Sequence, residues 1–240
     1  MKFAIIAAGE GSRLASEGIN VPKPLIEVGG EKLIDRLIRI FMNNEAEEIV
    51  VICNDRTNLV SQHLLQIEED GLKGRPVNLR FKVKSTPSSM HSFFELSSML
   101  GDGPFVLTTV DTVFKEAEFS NYAAAFKDAL AQKTDGLMGV TSFVDDESPL
   151  WVGTRDDMTI TGFYDHNDAH CQYISAGIYG LTSKSFTVLA RCVEAGESRM
   201  RNFQRALVRD GYAMTAWPFS KVFDIDHVSD IQKAETFLSR

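Results

Sequence analysis

"FAIIAAGEGSRL", residues 3–14, runs from an apolar segment into a glycine-rich loop and then an arginine, and "VPKPLIEV", residues 21–28, follows closely. Residues 2–7 read as a buried strand, so the loop falls where a strand passes into a helix. Arg13 offers a planar fork of donors, and Lys23, ten residues later, a compact point charge. Pro22 and Pro24 restrict the backbone on both sides of that lysine and hold it in one direction. A polyphosphate suits such a loop with two fixed cations, because loop N–H groups and a guanidinium fork both bind phosphate oxygens.

The rest of the chain extends this strand-and-helix beginning. "EKLIDRLIRIFMNN" puts Leu33, Ile34, Leu37, Ile38 and Phe41 on one helix face, and "EIVVIC" reads as the next strand. The spacing then predicts a helix over 57–68, a strand at "LRFKV", a helix over 90–100, a strand at "PFVLTTV" and a helix over 118–132. Such alternation predicts a largely parallel sheet with helices on both faces. After "DGLMGVTSF" the pattern changes: "LWVGTRDDMTITGFYDH" reads as a small antiparallel insertion turning at Asp156 and Asp157, a candidate lid or substrate-binding element. The chain returns through the strand "YISAGIYGL", helices around 183–194 and 199–210, strands near "AMTAWPF" and "KVFDI", and a closing helix over 228–238.

Composition narrows the classes of function. Net charge is −8, from 25 basic and 33 acidic residues, which argues against a nucleic-acid surface and leaves room for a local cationic pocket. No apolar run approaches the roughly 18 residues a membrane span needs, and the N-terminal apolar run is shorter than a signal segment, so a cytoplasmic location is expected. Cys53, Cys171 and Cys192 lack CxxC spacing and support neither a disulfide framework nor a zinc site.

Three readings compete for "AAGEGSRL": a plain strand-to-helix turn, a dinucleotide loop, and a triphosphate site. The dinucleotide reading fits poorly, because Gly9 and Gly11 supply two glycines of GxGxxG and Leu14 stands at the third position. It is not a Walker loop either, which requires lysine and then serine or threonine directly after the last glycine. The stretch resembles the nucleotidyltransferases that make nucleoside diphosphate sugars, with their strand, AAGxGxR loop and PKPL about ten residues on. Ala7, Ala8, Gly9, Gly11, Ser12, Arg13, Leu14, Pro22, Lys23, Pro24, Leu25, Val28, Gly30 and Leu33 carry the match.

The resemblance implies a single-domain α/β fold over 1–240: a Rossmann-like three-layer α/β/α sandwich of GT-A type, with a mixed, mostly parallel central sheet. Its nucleotide part would be about 1–115 and its acceptor part about 116–240. It implies transfer of a nucleotidyl group from a nucleoside triphosphate to a phosphorylated acceptor, such as a sugar 1-phosphate, with Mg²⁺ and release of pyrophosphate. Arg13 and Lys23 would be catalytic; Ala7, Ala8, Gly9, Glu10, Gly11 and Ser12 would hold the nucleotide, with Ser88, Ser89 and Met90 of "STPSSMHSFFEL" in the base-recognition position. Glycine and threonine of the family's G-T-A are lost there, and the serines also suit helix capping.

Asp111, at the end of "PFVLTTVD", matches the first metal position, and a turn or capping aspartate is the competing role. In "FDIDHVSDI", Asp226 is the first choice for the second ligand and Asp224 its rival; helix capping competes for Asp226 as well. Ser175 and Gly177 of "YISAGIYGL" match the acceptor strand, with Ser175 replacing asparagine. The lysine of the family's E-K-P element is missing from "FYDHNDAHCQ", leaving Lys184, Arg201 and Lys221 as replacements, or an acceptor such as phosphocholine. Trp151, Phe163, Tyr164 and Tyr173 are either core or sugar-pocket walls. A non-catalytic nucleotide-sensing subunit and a nicotinamide oxidoreductase remain the alternatives of different class.

Overall fold

The apolar run at residues 3–7 forms the central strand β1 (Lys2–Ala7), buried on both faces as a strand between two helical layers must be. The structure is a computed structural model describing residues 1–145 and 147–239. The glycine loop leads into a short helix, α1 (Ser12–Ser16), then a 3₁₀ turn at Lys23–Leu25 and the small hairpin β2 (Glu27–Val28) and β3 (Glu31–Lys32). Helix α2 (Leu33–Asn43), β4 (Ile49–Cys53), α3 (Asn58–Asp70), β5 (Leu79–Val83), α4 (Ser89–Leu100) and β6 (Pro104–Thr109) complete the alternating part. The short strand β7 (Thr112–Val113) and helix α5 (Glu116–Ala131) lead into β8 (Gly136–Thr141). The remainder comprises β9 (Trp151–Thr154), β10 (Ile160–Tyr164), β11 (Tyr173–Thr182), α6 (Ser185–Glu194), α7 (Met200–Arg209), β12 (Met214–Phe219), β13 (Phe223–Asp224) and α8 (Val228–Leu238).

Strands β5, β4, β1 and β6 run parallel, in that order. Strand β11 then pairs antiparallel with β6, and on its other side with both β8 and β9, while β12 joins β8 in parallel. The predicted antiparallel insertion exists as the β9–β10 hairpin, yet it is continuous with the nine-stranded sheet through Tyr173↔Val152 and Ile174↔Trp151. The length of β11 explains this: ten residues reach past β6 far enough to pair with two further strands.

Two apolar layers cover the sheet. On one face, Phe3 stacks on Phe41 of α2 and Phe114 on Phe119 of α5, with Phe41 tilted against Phe119 and α3 and α8 on the same side. On the other, Phe93 packs against Phe105, Phe186 and Phe203 beneath α4, α6 and α7. Gly180 marks a close approach between the sheet and α5: a Cβ there would lie 2.8 Å from the Tyr122 hydroxyl and 2.9 Å from the Phe126 ring. Gly180→Ala is therefore expected to destabilise the fold by about 1–3 kcal/mol, read as a lower denaturant midpoint at unchanged slope. A midpoint equal to wild type would contradict the packing described. No helix among the described residues is long and apolar enough to cross a membrane.

Candidate active site

The C-terminal ends of β1 and β6 open onto one cleft, the edge at which open α/β sheets bind ligands. Residues 8–11 leave β1 there, and Gly11 takes φ +62°, a left-handed conformation that glycine adopts without steric cost. A Cβ on Gly11 would sit 3.4 Å from the Lys23 Cβ, so the loop lies directly against the base of that side chain. Lys23 opens the 3₁₀ turn between Pro22 and Pro24, closed by Leu25 N–H donating to Pro22 O and Ile26 N–H donating to Lys23 O. The prolines fix the turn, and the turn aims the lysine.

Lys23 Nζ donates to Asp111 Oδ2 at 2.8 Å and to Asp226 Oδ1 at 2.7 Å. Arg13 Nη1 reaches the other oxygen of Asp226 at 2.6 Å. Residues 13, 23, 111 and 226 thus form one charged cluster from four separate segments. Burial by itself lowers the Lys23 pKa, but attraction to Asp111, its hydrogen bond, and then those of Asp226 outweigh burial and hold it above the ordinary value. The Lys23 side chain is 10% exposed, so its partners act through a poorly screened environment.

Asp226 and Asp224 separate by register. Strand β13 pairs antiparallel with β7, which sets Asp224 opposite Thr112, whose hydroxyl donates to Asp224 Oδ1 at 3.3 Å. Ile225 N–H donates to the Asp111 carbonyl, and Asp226 follows onto the side occupied by Lys23 and Arg13. Among the described residues, no three His, Cys, Asp or Glu side chains form a group able to cage a metal.

Two cavities meet at this cluster. One, of about 580 Å³, is lined by Ala8, Gly9, Glu10, Gly11 and Ser12, by Ser88 and Ser89, and by Lys23 and Asp111. The other, of about 230 Å³, is lined by Ser175, Thr141, Phe143 and His227. Arg13, Asp224 and Asp226 border both. Ala7 and Met90 do not face the cleft: both are core residues, Ala7 because it ends a doubly covered strand and Met90 because it lies on the inner face of α4. Gly177 sits at the irregularity of β11 against the Thr109 and Thr112 hydroxyls, so it packs behind the cluster rather than lining a cavity. Phe163 is core, whereas Trp151 borders a neighbouring groove.

The three replacement cations end in different places. Lys184 lies near Asp135 at 3.5 Å, and Lys221 sits over the Phe143 ring at 4.3 Å. Arg201 binds Asp165 at 2.6 Å and the Ser148 carbonyl at 3.0 Å.

Several site-supporting residues escaped the sequence reading. Asn54 donates to the carbonyls of Ala8 and Gly9 and pins the loop from the end of β4. A polar residue directly after a parallel strand was the available signal. Ser175 donates to Gln204 Oε1 at 3.3 Å, and Gln204 Nε2 donates to the Tyr179 hydroxyl at 3.5 Å. Gln204 is buried on an otherwise amphipathic helix, and only the packed neighbour identifies its partners.

A second ion pair anchors the end of the cluster. Glu17, just beyond α1, accepts from His227 and from Val228 N–H, at the start of α8. Asp230 completes the cap by accepting from His227 N–H at 2.8 Å. The Glu17 hydrogen bond raises the His227 pKa above 6.5, with Asp230 and Glu147 acting in the same sense, and the reciprocal bond lowers Glu17 below 4.5. The histidine's contribution is complete below 6.5 and is lost as pH rises through its raised value. The glutamate's is complete above 4.5 and is lost as pH falls through its lowered value. The melting-temperature gap between wild type and Glu17→Gln is expected to be widest at about pH 5.5 and narrower at about pH 9. A gap that stays flat across that range would exclude the pairing.

Two carboxylates and two cations from four segments gather between a loop-lined cleft and a second pocket, a combination of charges suited to phosphate groups. The chain belongs to the nucleotidyl transferase family, whose sequence profile matches residues 2–240. It is 30% identical over 131 residues to the N-acetylmuramate alpha-1-phosphate uridylyltransferase of Caulobacter vibrioides, covering 55% of this chain and 52% of that protein. The chain thus spans about half the length of that curated relative. Among solved structures, a Bacillus anthracis chain assigned as a glucose-1-phosphate thymidylyltransferase, in complex with sucrose, superposes with TM-score 0.84 at 18% identity, over 99% of this chain and 94% of that one. The inositol-1-phosphate CTP transferase of T. maritima gives 0.76 at 19%, over 99% and 97%. These likenesses show the fold.

Proposed function

We propose that the protein transfers a nucleoside monophosphate from a nucleoside triphosphate to a sugar 1-phosphate, releasing pyrophosphate and forming a nucleoside diphosphate sugar. The observation that carries this reading is the Lys23 ammonium shared by Asp111 and Asp226 where the two cavities meet. The loop-lined cavity suits the triphosphate, and the pocket beyond Asp226 suits the acceptor. An acceptor phosphate is already anionic near neutral pH, so in-line attack on the α-phosphorus needs no residue to remove a proton. The work left to the protein is positioning and charge neutralisation. Arg13 would meet the leaving pyrophosphate, and Lys23 the phosphate oxygens along the reaction path.

Mg²⁺ is part of this proposal. Asp111 and Asp226 are hard oxygen donors close enough to share one cation, and they fit an ion that takes one or two carboxylates and completes its shell with water and substrate phosphates. Asp224, bordering both cavities, is the alternative second ligand. Bound there, the ion would neutralise phosphate charge and orient donor and acceptor. Release of pyrophosphate with Mg²⁺, measured for each common nucleoside triphosphate against a panel of sugar 1-phosphates and phosphocholine, tests the reading. Nucleotide binding without pyrophosphate from any pair would overturn it in favour of a sensing role.

A further inference from the structure

A groove of about 960 Å³ lies beside the acceptor pocket, lined by Glu147, Trp151, Asp165, Arg199, Arg201 and Arg205, among others. It shares Glu147 with that pocket, and it adjoins the nucleotide cleft where Arg199 N–H donates to Ser88 Oγ at 3.4 Å. A molecule placed with its phosphate at Asp226 and extending past Glu147 therefore enters this groove.

Three guanidiniums line it. Arg201 and Arg205 hold opposite oxygens of Asp165 at 2.6 and 2.7 Å, and each has a further bond, to Ser148 O at 3.0 Å and Phe163 O at 3.1 Å. Two arginines on one carboxylate form a rigid cationic wall whose positive charge exceeds its local partner's. The Arg199 side chain has no hydrogen-bond or ion-pair partner among the described residues. Its backbone stands at φ +70°, a left-handed conformation that disfavours any residue with a Cβ. Glycine would adopt it freely, so an arginine there trades backbone comfort for a guanidinium at the groove.

We propose, on the nucleotidyl-transfer reading above, that the acceptor carries a second anionic group, carboxylate or phosphate, which Arg199 binds against the Arg201–Arg205 wall. The guanidinium fork matches the paired oxygens of either group, and Trp151 provides an apolar face for the ring that joins the two anions.

Matched acceptors test this: glucuronate 1-phosphate against glucose 1-phosphate, N-acetylmuramate 1-phosphate against N-acetylglucosamine 1-phosphate, and glucose 1,6-bisphosphate against glucose 1-phosphate. The first two pairs differ by a carboxylate and the third by a phosphate, so the preferred pair identifies the group. With saturating nucleoside triphosphate, kcat/KM for at least one doubly acidic acceptor is expected to exceed that of its partner by about ten- to a hundredfold. Arg199→Gly relieves the backbone strain while removing the guanidinium. It is expected to retain or raise thermal stability, leave the nucleotide KM and the singly acidic acceptor's kcat/KM unchanged, and lower that preference by about tenfold. Equal or better use of the singly acidic acceptor in every pair, or a preference that survives Arg199→Gly, would overturn this inference alone. No turnover with any acceptor despite nucleotide binding would remove the nucleotidyl-transfer reading and this inference with it.

Discussion

Lys23→Ala is expected to slow pyrophosphate release by about 10²–10³-fold, the range found when one preorganised donor to developing charge is removed. Lys23 stands on a turn closed by two prolines and reaches carboxylates from two distant segments, so its position is fixed before substrate arrives. Its loss leaves Asp111 and Asp226 as like charges facing each other without the intervening cation. Added Mg²⁺ should therefore raise the melting temperature of Lys23→Ala more than that of wild type. Turnover within about twofold of wild type would remove Lys23 from the catalytic assignment, since one useful electrostatic contact is worth far more than that.

Asp111→Ala is expected to lower turnover by a similar or larger factor, about 10³-fold, because it takes away both a proposed metal ligand and the partner that most strongly holds Lys23. The backbone should persist, since the bond from Ile225 N–H uses the Asp111 carbonyl and not its side chain. Stability provides an independent reading. The raised Lys23 pKa adds stability that is complete below 10.5 and lost as pH rises through the folded value. Asp111→Ala should reduce stability at neutral pH and bring alkaline unfolding to a lower pH. Combining it with Lys23→Ala should cost much less than the sum of the two, as for groups that act as a unit. Full additivity, or activity near wild type for Asp111→Ala, would show that the two residues do not work together.

The local pattern and the opening motif made most of the architecture legible in the sequence. Residues 2–7, the α2 stripe and the strand ending at Thr109 all carry their periodicity in adjacent residues, and helix bounds differ from expectation by no more than two or three positions at α4, α5 and α7. Met90 shows the limit. Its place beside Ser88 and Ser89 suggested the cleft, yet one helical step turns it inward, because adjacent residues on a helix face about 100° apart. The link between the β9–β10 hairpin and the main sheet was equally hidden, since strand partners are chosen by register across the fold.

By itself, the sequence determined the strand, the loop, the proline-framed lysine and the alternating layers, because each depends on residues within a few positions of one another. Tertiary structure alone decided that Asp226, and not Asp224, meets Lys23 and Arg13, since the β7–β13 register sets that choice across more than a hundred residues. It also decided that Ser175 answers to Gln204, and that Arg199, Arg201 and Arg205 border a groove beside the cavity beyond Asp226. Charged contacts act through space over a few ångströms, and only the folded chain brings residues 13, 23, 111 and 226 within that distance.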